Sequence, residues 1–165
     1  MEPRASGDAS VPGPPDHPGV WVPPPLIYVA IFLLALWLHR FLPLPAIPRN
    51  IGRFGGPACI AAGLLLSVWS IGLFRRARTS IIPVRPSSAL VVGGPYRFTR
   101  NPMYLSLLIV YLGAALLTQM LWAVLLSPIV VLGLGRLVIR KEEHYLQRRF
   151  GEEFVRYKAS VRRWI

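Results

Sequence analysis

Apolar residues gather along this chain in four blocks: Leu26 to Leu42, Pro57 to Phe74, Met103 to Gln119, and Leu121 to about Val138. Each block has 17 or 18 residues, near the lower limit of the roughly 20 that cross about 30 Å of hydrocarbon at about 1.5 Å per residue. The pattern predicts an all-α membrane protein with four transmembrane helices. A buried bundle in a soluble protein is the alternative, but four such blocks in 165 residues leave too little polar surface to cover them. Small residues Gly63, Ser67, Ser70 and Gly72 in the second block, and Gly133 and Gly135 in the fourth, are expected at close helix approaches. Little more than Thr118, Gln119 and Met120 separates the last two blocks, so they should form a tight antiparallel hairpin with Trp122 near the interface.

After the fourth block the period changes. Leu146, Phe150, Phe154, Tyr157 and Val161 form an apolar stripe at helical spacing, while Arg148, Arg149, Arg156, Lys158, Arg162 and Arg163 fill the other faces. This predicts a C-terminal amphipathic helix, divided if Gly151 breaks it, that lies on an anionic membrane surface or packs beneath the bundle, with Trp164 as an interfacial anchor. Residues 1–25 are different again. Eight prolines among small polar residues predict a flexible tail, and no basic start runs into an apolar core as in a signal peptide.

Charge sharpens the membrane reading. The chain has 19 Lys and Arg against 7 Asp and Glu, a net charge of +12. No carboxylate occurs between His17 and Lys141. The basic residues sit at the edges of the apolar blocks and the chain has no zinc-finger or RNA-recognition spacing, so no nucleic acid partner is expected. Arg75, Arg76, Arg78, Arg85, Arg97 and Arg100 crowd the second connection, and the third carries no charge. The positive-inside rule then places the Arg-rich loop and both termini in the cytoplasm, leaving Arg40, Arg49 and Arg53 in the first connection on the far side. Cys59 stands alone, which excludes disulfides and thiolate metal clusters. No metal is expected.

Two stretches carry candidate chemistry. Gly93-Gly94-Pro95-Tyr96-Arg97-Phe98-Thr99-Arg100-Asn101-Pro102-Met103-Tyr104 ends where the third block begins. Glycines allow close backbone approach, Pro102 suits a first helical position, and a helix start beside two arginines can hold a carboxylate or phosphate. A lipid-headgroup anchor followed by a plain helix start fits the same residues. The second stretch is Glu142-Glu143 beyond the fourth block, among Arg136, Arg140 and Lys141. Neighbouring helical residues point about 100° apart, so at most one acid should face a given pocket. Such a carboxylate can accept hydrogen bonds from ribose hydroxyls or an ammonium group; a surface ion pair is the plainer reading. His144 reads as a surface residue, and Glu152 and Glu153 as partners for nearby arginines.

In order and at these spacings, Gly94-Pro95-Tyr96-Arg97, Thr99-Arg100-Asn101-Pro102-Met103-Tyr104, Glu142-Glu143 and Phe150-Gly151-Glu152-Glu153-Phe154 with Tyr157 resemble the isoprenylcysteine carboxyl methyltransferase and phospholipid methyltransferase group of membrane enzymes. The resemblance covers about residues 75–165. It implies a methyltransferase domain over 26–165 that binds S-adenosylmethionine on the cytoplasmic side through 75–165. It implies that Gly94, Tyr96, Arg100, Pro102, Tyr104, Glu142 and Glu143 bind the cofactor, with Arg100 and Asn101 at the catalytic centre. Eukaryotic members have His where this chain has Asn101, which cannot titrate near neutrality, and Ser87-Ser88-Ala89-Leu90-Val91 lacks the His those enzymes carry upstream.

The expected reaction is methyl transfer to a lipophilic acceptor in the bilayer: carboxyl O-methylation of a prenylcysteine-like lipid, or phospholipid N-methylation. An in-line displacement at a sulfonium needs positioning and desolvation, not a metal or a nucleophilic triad. A non-catalytic membrane protein that binds anionic lipid or a partner subunit is the rival reading. A transporter is disfavoured because no ionisable residue lies deep in a block and no inverted repeat is visible.

Overall fold

The computed structural model describes residues 18–20, 22–79 and 88–165. Most of the expected tail, together with Arg85 and Ser87, lies outside them. Helices α1 (Pro24–Phe41), α2 (Arg49–Arg76), α3 (Pro102–Leu117), α4 (Leu121–Leu134), α5 (Arg140–Phe150) and α6 (Glu152–Ser160) follow in order, and every regular element among the described residues is helical. One π-helical turn, Gly135–Ile139, joins α4 to α5 without a break. Among the described residues three helices are long and apolar enough to cross a membrane: α1, α2 and the continuous Leu121–Phe150 rod. The third expected span, α3, is a shorter apolar helix of 16 residues.

Proline explains several boundaries. Pro24 and Pro102 stand in the first turns of α1 and α3, where a missing N–H costs nothing. Pro128 lies inside α4 and cannot donate to the Val124 carbonyl; the Ser127 hydroxyl donates to that oxygen instead, at 2.7 Å. Helix α2 starts at Arg49, eight residues before the expected block, with Pro57 inside it. Arg49 and Arg53 are therefore helical residues and not part of a loop.

Packing of α2 on α3 explains that extension. A Cβ on Gly52 would meet the Leu116 carbonyl; one on Gly63 would lie 2.7 Å from the Ser106 carbonyl, and one on Gly113 would lie 2.8 Å from the Gly56 carbonyl and 2.9 Å from the Ile60 nitrogen. Backbones touch along this seam. Of the small residues expected at close approaches, Gly63 fits, whereas Gly72 and Gly135 face open space and Gly133 has one loose neighbour. Gly52, Gly56 and Gly113 are the ones the seam requires.

The buried core lies between α1, α3 and α4, around Tyr28, Ala35, Tyr111, Ala115, Ala123, Val130 and Leu134. The Tyr28 hydroxyl donates to the Tyr104 carbonyl at 2.6 Å, and Tyr111 donates to the Ala123 carbonyl at 2.8 Å. Val20 is buried in this core at 4% exposure, so the expected tail contributes to the packing near its end. Large apolar side chains face outward elsewhere: Leu65 is 71% exposed, Val68 68% and Trp37 59%. Only 11% of the apolar stretch of α2 is buried by the protein. A surface of that kind belongs in lipid.

The two short connections meet at one end. Gln119, in a left-handed conformation at φ 54°, accepts a hydrogen bond from the Ile47 amide at 3.2 Å, and Trp122 Nε1 donates to the Leu42 carbonyl at 2.6 Å. Residues 75–79 and 88–100, α5 and α6 lie at the other end, where Ser88 closes onto Thr79 and Arg78 at 2.9 and 3.0 Å. The C-terminal helix is in two pieces, with Gly151 at φ 55° between α5 and α6. Trp164 is half-buried and packs against the core.

Candidate active site

A cleft opens at that second end, between the start of α3, the first turns of α5, α6 and the 89–101 loop. Tyr96, Arg100, Asn101, Tyr104, Glu142 and Glu143, six of the eight expected site residues, line it together. Phe74, Leu90, Val91, Met103, Leu146, Phe154 and Tyr157 supply apolar and aromatic wall, and Pro18 closes one side.

Gly94 and Pro102 are not in the lining. Gly94 has φ 57° and packs on α2, where a Cβ would lie 2.7 Å from Leu73 Cδ1 and 3.1 Å from Trp69 Nε1. It starts the 3₁₀ turn Gly94–Arg97 that carries Tyr96 into the cleft. Gly94→Ala is expected to lower stability by about 1–2 kcal/mol through the left-handed backbone alone; a melt of the purified protein in detergent checks this. Pro102 is fully buried and starts α3.

Both glutamates reach the cleft, against the expectation that only one would. Glu142 meets Tyr104 of α3, and Glu143 meets Arg100 and Arg163 on another side of the first turn of α5, while both acids line the cleft. Two directions about 100° apart therefore both point into it. Glu142 Oε1 accepts a hydrogen bond from the Tyr104 hydroxyl at 2.5 Å. Glu143 is 7% exposed and bound on both oxygens: Arg163 Nε reaches Oε1 at 3.0 Å, Arg163 Nη2 reaches Oε2 at 2.6 Å, Arg100 Nη2 sits 3.3 Å from Oε1, and Lys158 Nζ sits 3.9 Å from Oε2. The hydrogen bonds from Arg163 to Glu143 raise the Arg163 guanidinium further above its ordinary value.

Arg163 is the residue that the sequence did not single out. Its carbonyl accepts from Asn101 Nδ2 at 2.9 Å and from Thr99 Oγ1 at 3.1 Å, and the Arg100 amide donates to the Arg162 carbonyl at 3.0 Å. Asn101 thus commits one of its two side-chain N–H donors to residues 161–165. The Tyr157 hydroxyl donates to the Tyr96 carbonyl at 2.7 Å. Burial pushes the Tyr157 phenol up to about 12 and raises the Tyr96 phenol as well, so both stay protonated. His144 is exposed on the outer face of α5.

Three buried atoms at this site have no partner among the described residues: the Tyr96 hydroxyl and Arg100 Nε and Nη1. Leaving a guanidinium edge unpaired out of water is costly, and a ligand with acceptor oxygens removes the cost. Among the described residues no group of His, Cys, Asp and Glu could hold a metal ion.

Residues 51–153, from the start of α2 through the cleft, match the phospholipid methyltransferase family. The chain belongs to that family. It is an integral membrane methyltransferase whose family match spans the α2–α3 seam, the α3–α4 hairpin and Glu142-Glu143. An uncharacterized protein of Haemophilus influenzae is 43% identical over 63 residues, 38% of this chain and 100% of that protein. Phosphatidylethanolamine N-methyltransferase B of Dictyostelium discoideum is 27% identical over 122 residues, 64% of this chain and 59% of that protein. The chain thus spans less than two thirds of the Dictyostelium relative. No solved structure matches.

Proposed function

We propose that the cleft binds S-adenosylmethionine and that the protein methylates the amine of a lipid headgroup. The observation that carries this reading is the Glu142 carboxylate. It lies within the cleft, is oriented through Oε1 by Tyr104, and keeps Oε2 for a ligand. The residues present fit the cofactor. Arg100 Nε and Nη1 suit its carboxylate, the Tyr96 hydroxyl suits an acceptor atom, and the Phe74 and Tyr157 side chains suit an adenine face.

When bound, the cofactor supplies a methyl group on a sulfonium that a nucleophile can displace in line. The protein's own groups prepare the nucleophile. A primary ammonium must lose a proton before its nitrogen pair can form a bond, and Glu142 is the group placed to take it: the Tyr96 and Tyr157 phenols stay protonated, Glu143 is held by Arg163 and Arg100, and His144 faces outward. Apolar walls from Leu90, Val91, Met103 and Phe154 exclude water and strengthen attraction between Glu142 and a cation. In this reading Asn101 is a positioning residue for the 161–165 segment, and the lipid amine replaces the prenylcysteine-like carboxylate as acceptor.

Support for a lipid acceptor comes from the membrane setting of the cleft and from the name of the Dictyostelium relative. We read α3 as the fourth crossing, because the hairpin tip at Gln119 meets the first connection at Ile47 while its start lines the cleft. The cleft end, with Arg75, Arg76, Arg97 and α6, then faces the cytoplasm, and the basic faces of α5 and α6 rest on anionic headgroups.

Two measurements on detergent-solubilised protein test the reading. Calorimetric titration with S-adenosylhomocysteine should show saturable binding. Labelled methyl from S-adenosylmethionine should appear in phosphatidylethanolamine vesicles and not in a prenylcysteine analogue. Label in the analogue alone would reverse the choice of acceptor, and no binding to folded protein would sink the cofactor.

A further inference from the structure

Arg100 is held at one corner only. Its Nη2 sits 3.3 Å from Glu143 Oε1, its side chain is 10% exposed, and its Nε and Nη1 are buried without a partner among the described residues. A single-point ion pair leaves a guanidinium free to swivel about that contact. What stops Glu143 from following is Arg163, which grips the carboxylate through both Nε and Nη2, at 3.0 and 2.6 Å, in the planar two-point geometry that suits a guanidinium. Arg163 is in turn tied by its own carbonyl to Thr99 and Asn101, the residues on either side of Arg100. A closed circuit results: Arg100 to Glu143, Glu143 to Arg163, and Arg163 back to the backbone around Arg100.

We propose that Arg163 is a positioning residue which, through Glu143, aims Arg100 Nε and Nη1 into the cleft as an anion subsite for a carboxylate or phosphate oxygen pair. Charge supports the assignment. Three cations, Arg100, Lys158 and Arg163, surround Glu143, and Glu142 is the other acid in the cleft lining, so even with both acids ionised one positive charge is left over for an incoming anion to balance. Two sources could supply the group: the amino-acid carboxylate of a sulfonium cofactor, which rests on the cofactor reading above, or the phosphate of a lipid headgroup, which does not.

The test titrates detergent-solubilised wild type, Arg163→Ala and Arg163→Lys with four probes. S-adenosylhomocysteine carries the carboxylate, and 5′-methylthioadenosine shares its nucleoside without it. Short-chain phosphatidic acid carries a phosphate, and the matching diacylglycerol lacks it. Because the Thr99 and Asn101 tethers run to the Arg163 carbonyl, side-chain replacement should leave residues 161–165 in place; if Arg163→Ala shows no cooperative melt, Arg163→Gln is read in its stead. Arg163→Ala is expected to weaken one anionic probe by about tenfold or more, the size of a lost charge-assisted hydrogen bond, with its uncharged counterpart unchanged. Loss confined to S-adenosylhomocysteine assigns the subsite to the cofactor carboxylate; loss confined to phosphatidic acid assigns it to the headgroup.

Arg163→Lys keeps the charge without the two-point grip and should recover only part of the loss. Equal weakening of charged and uncharged probes, no change in any, or full recovery by lysine would each overturn the proposal. Wild type that binds phosphatidic acid but not S-adenosylhomocysteine would end the cofactor reading and leave the subsite to be judged on the lipid pair.

Discussion

Glu142→Gln is expected to lower methyl transfer by about 10²- to 10⁴-fold, the usual range for removing a positioned general base, with S-adenosylhomocysteine affinity changed by no more than a few fold. Glutamine keeps the shape and an oxygen for the Tyr104 hydroxyl, so the hydrogen bond at Glu142 Oε1 has a substitute and the fold is spared. What it cannot do is hold a proton taken from an ammonium. The deficit should therefore appear in kcat with a lipid amine as acceptor, and it should shrink as assay pH rises and more of the amine is already neutral. Undiminished transfer by the variant would show that Glu142 is not the proton acceptor. Loss of cofactor binding in step with transfer would instead make it a ligand of the cofactor.

Replacing Gly113 with leucine should be the most damaging single change to the fold. Its Cβ alone would stand 2.8 Å from the Gly56 carbonyl and 2.9 Å from the Ile60 nitrogen, backbone atoms that cannot rotate aside. Overpacking of this kind typically costs about 1–3 kcal/mol, and more where backbone is the obstacle. The effect should reach the cleft as well, because α2 carries the Trp69 and Leu73 side chains on which Gly94 rests and the Phe74 ring beside Tyr96, 5.6 Å between centroids. A lower melting midpoint together with weaker S-adenosylhomocysteine binding is the expected pair of readings. A Gly113→Leu protein as stable as wild type would mean the seam is not as tight as drawn.

Hydropathy made the four apolar blocks plain, since burial in lipid demands long uncharged runs and little else. It misjudged where α2 begins. Arg49, Asn50, Gly52, Arg53, Gly55 and Gly56 are loop-like residues, and only contact with α3 reveals that the glycines serve helix approach. Gly133 and Gly135, equally small, serve no such contact. At the site, Tyr96, Arg100, Tyr104 and the two glutamates were legible because their order and spacing form a motif. Arg163 was not. It is one of several basic residues near Arg156, Lys158 and Arg162, and nothing in a one-dimensional pattern shows that residues 161–165 fold back to the 99–101 loop. Gly94 and Pro102 belong to the same motif but act on the backbone, Gly94 through a left-handed turn and Pro102 through a helix start.

The π-helical turn at Gly135–Ile139 has a bearing on how this region can change. Such a turn is in effect one residue more than a regular helix would hold over the same rise, and each residue added to or taken from a helix turns everything beyond it by about 100°. Glu142 and Glu143 begin three residues after it. Substitutions at Arg136 and Leu137 alter only what lies on the rod's surface, but a single codon lost there would swing both carboxylates out of the cleft with every site residue still present. At the exposed positions of this stretch the constraint falls on chain length more than on residue identity.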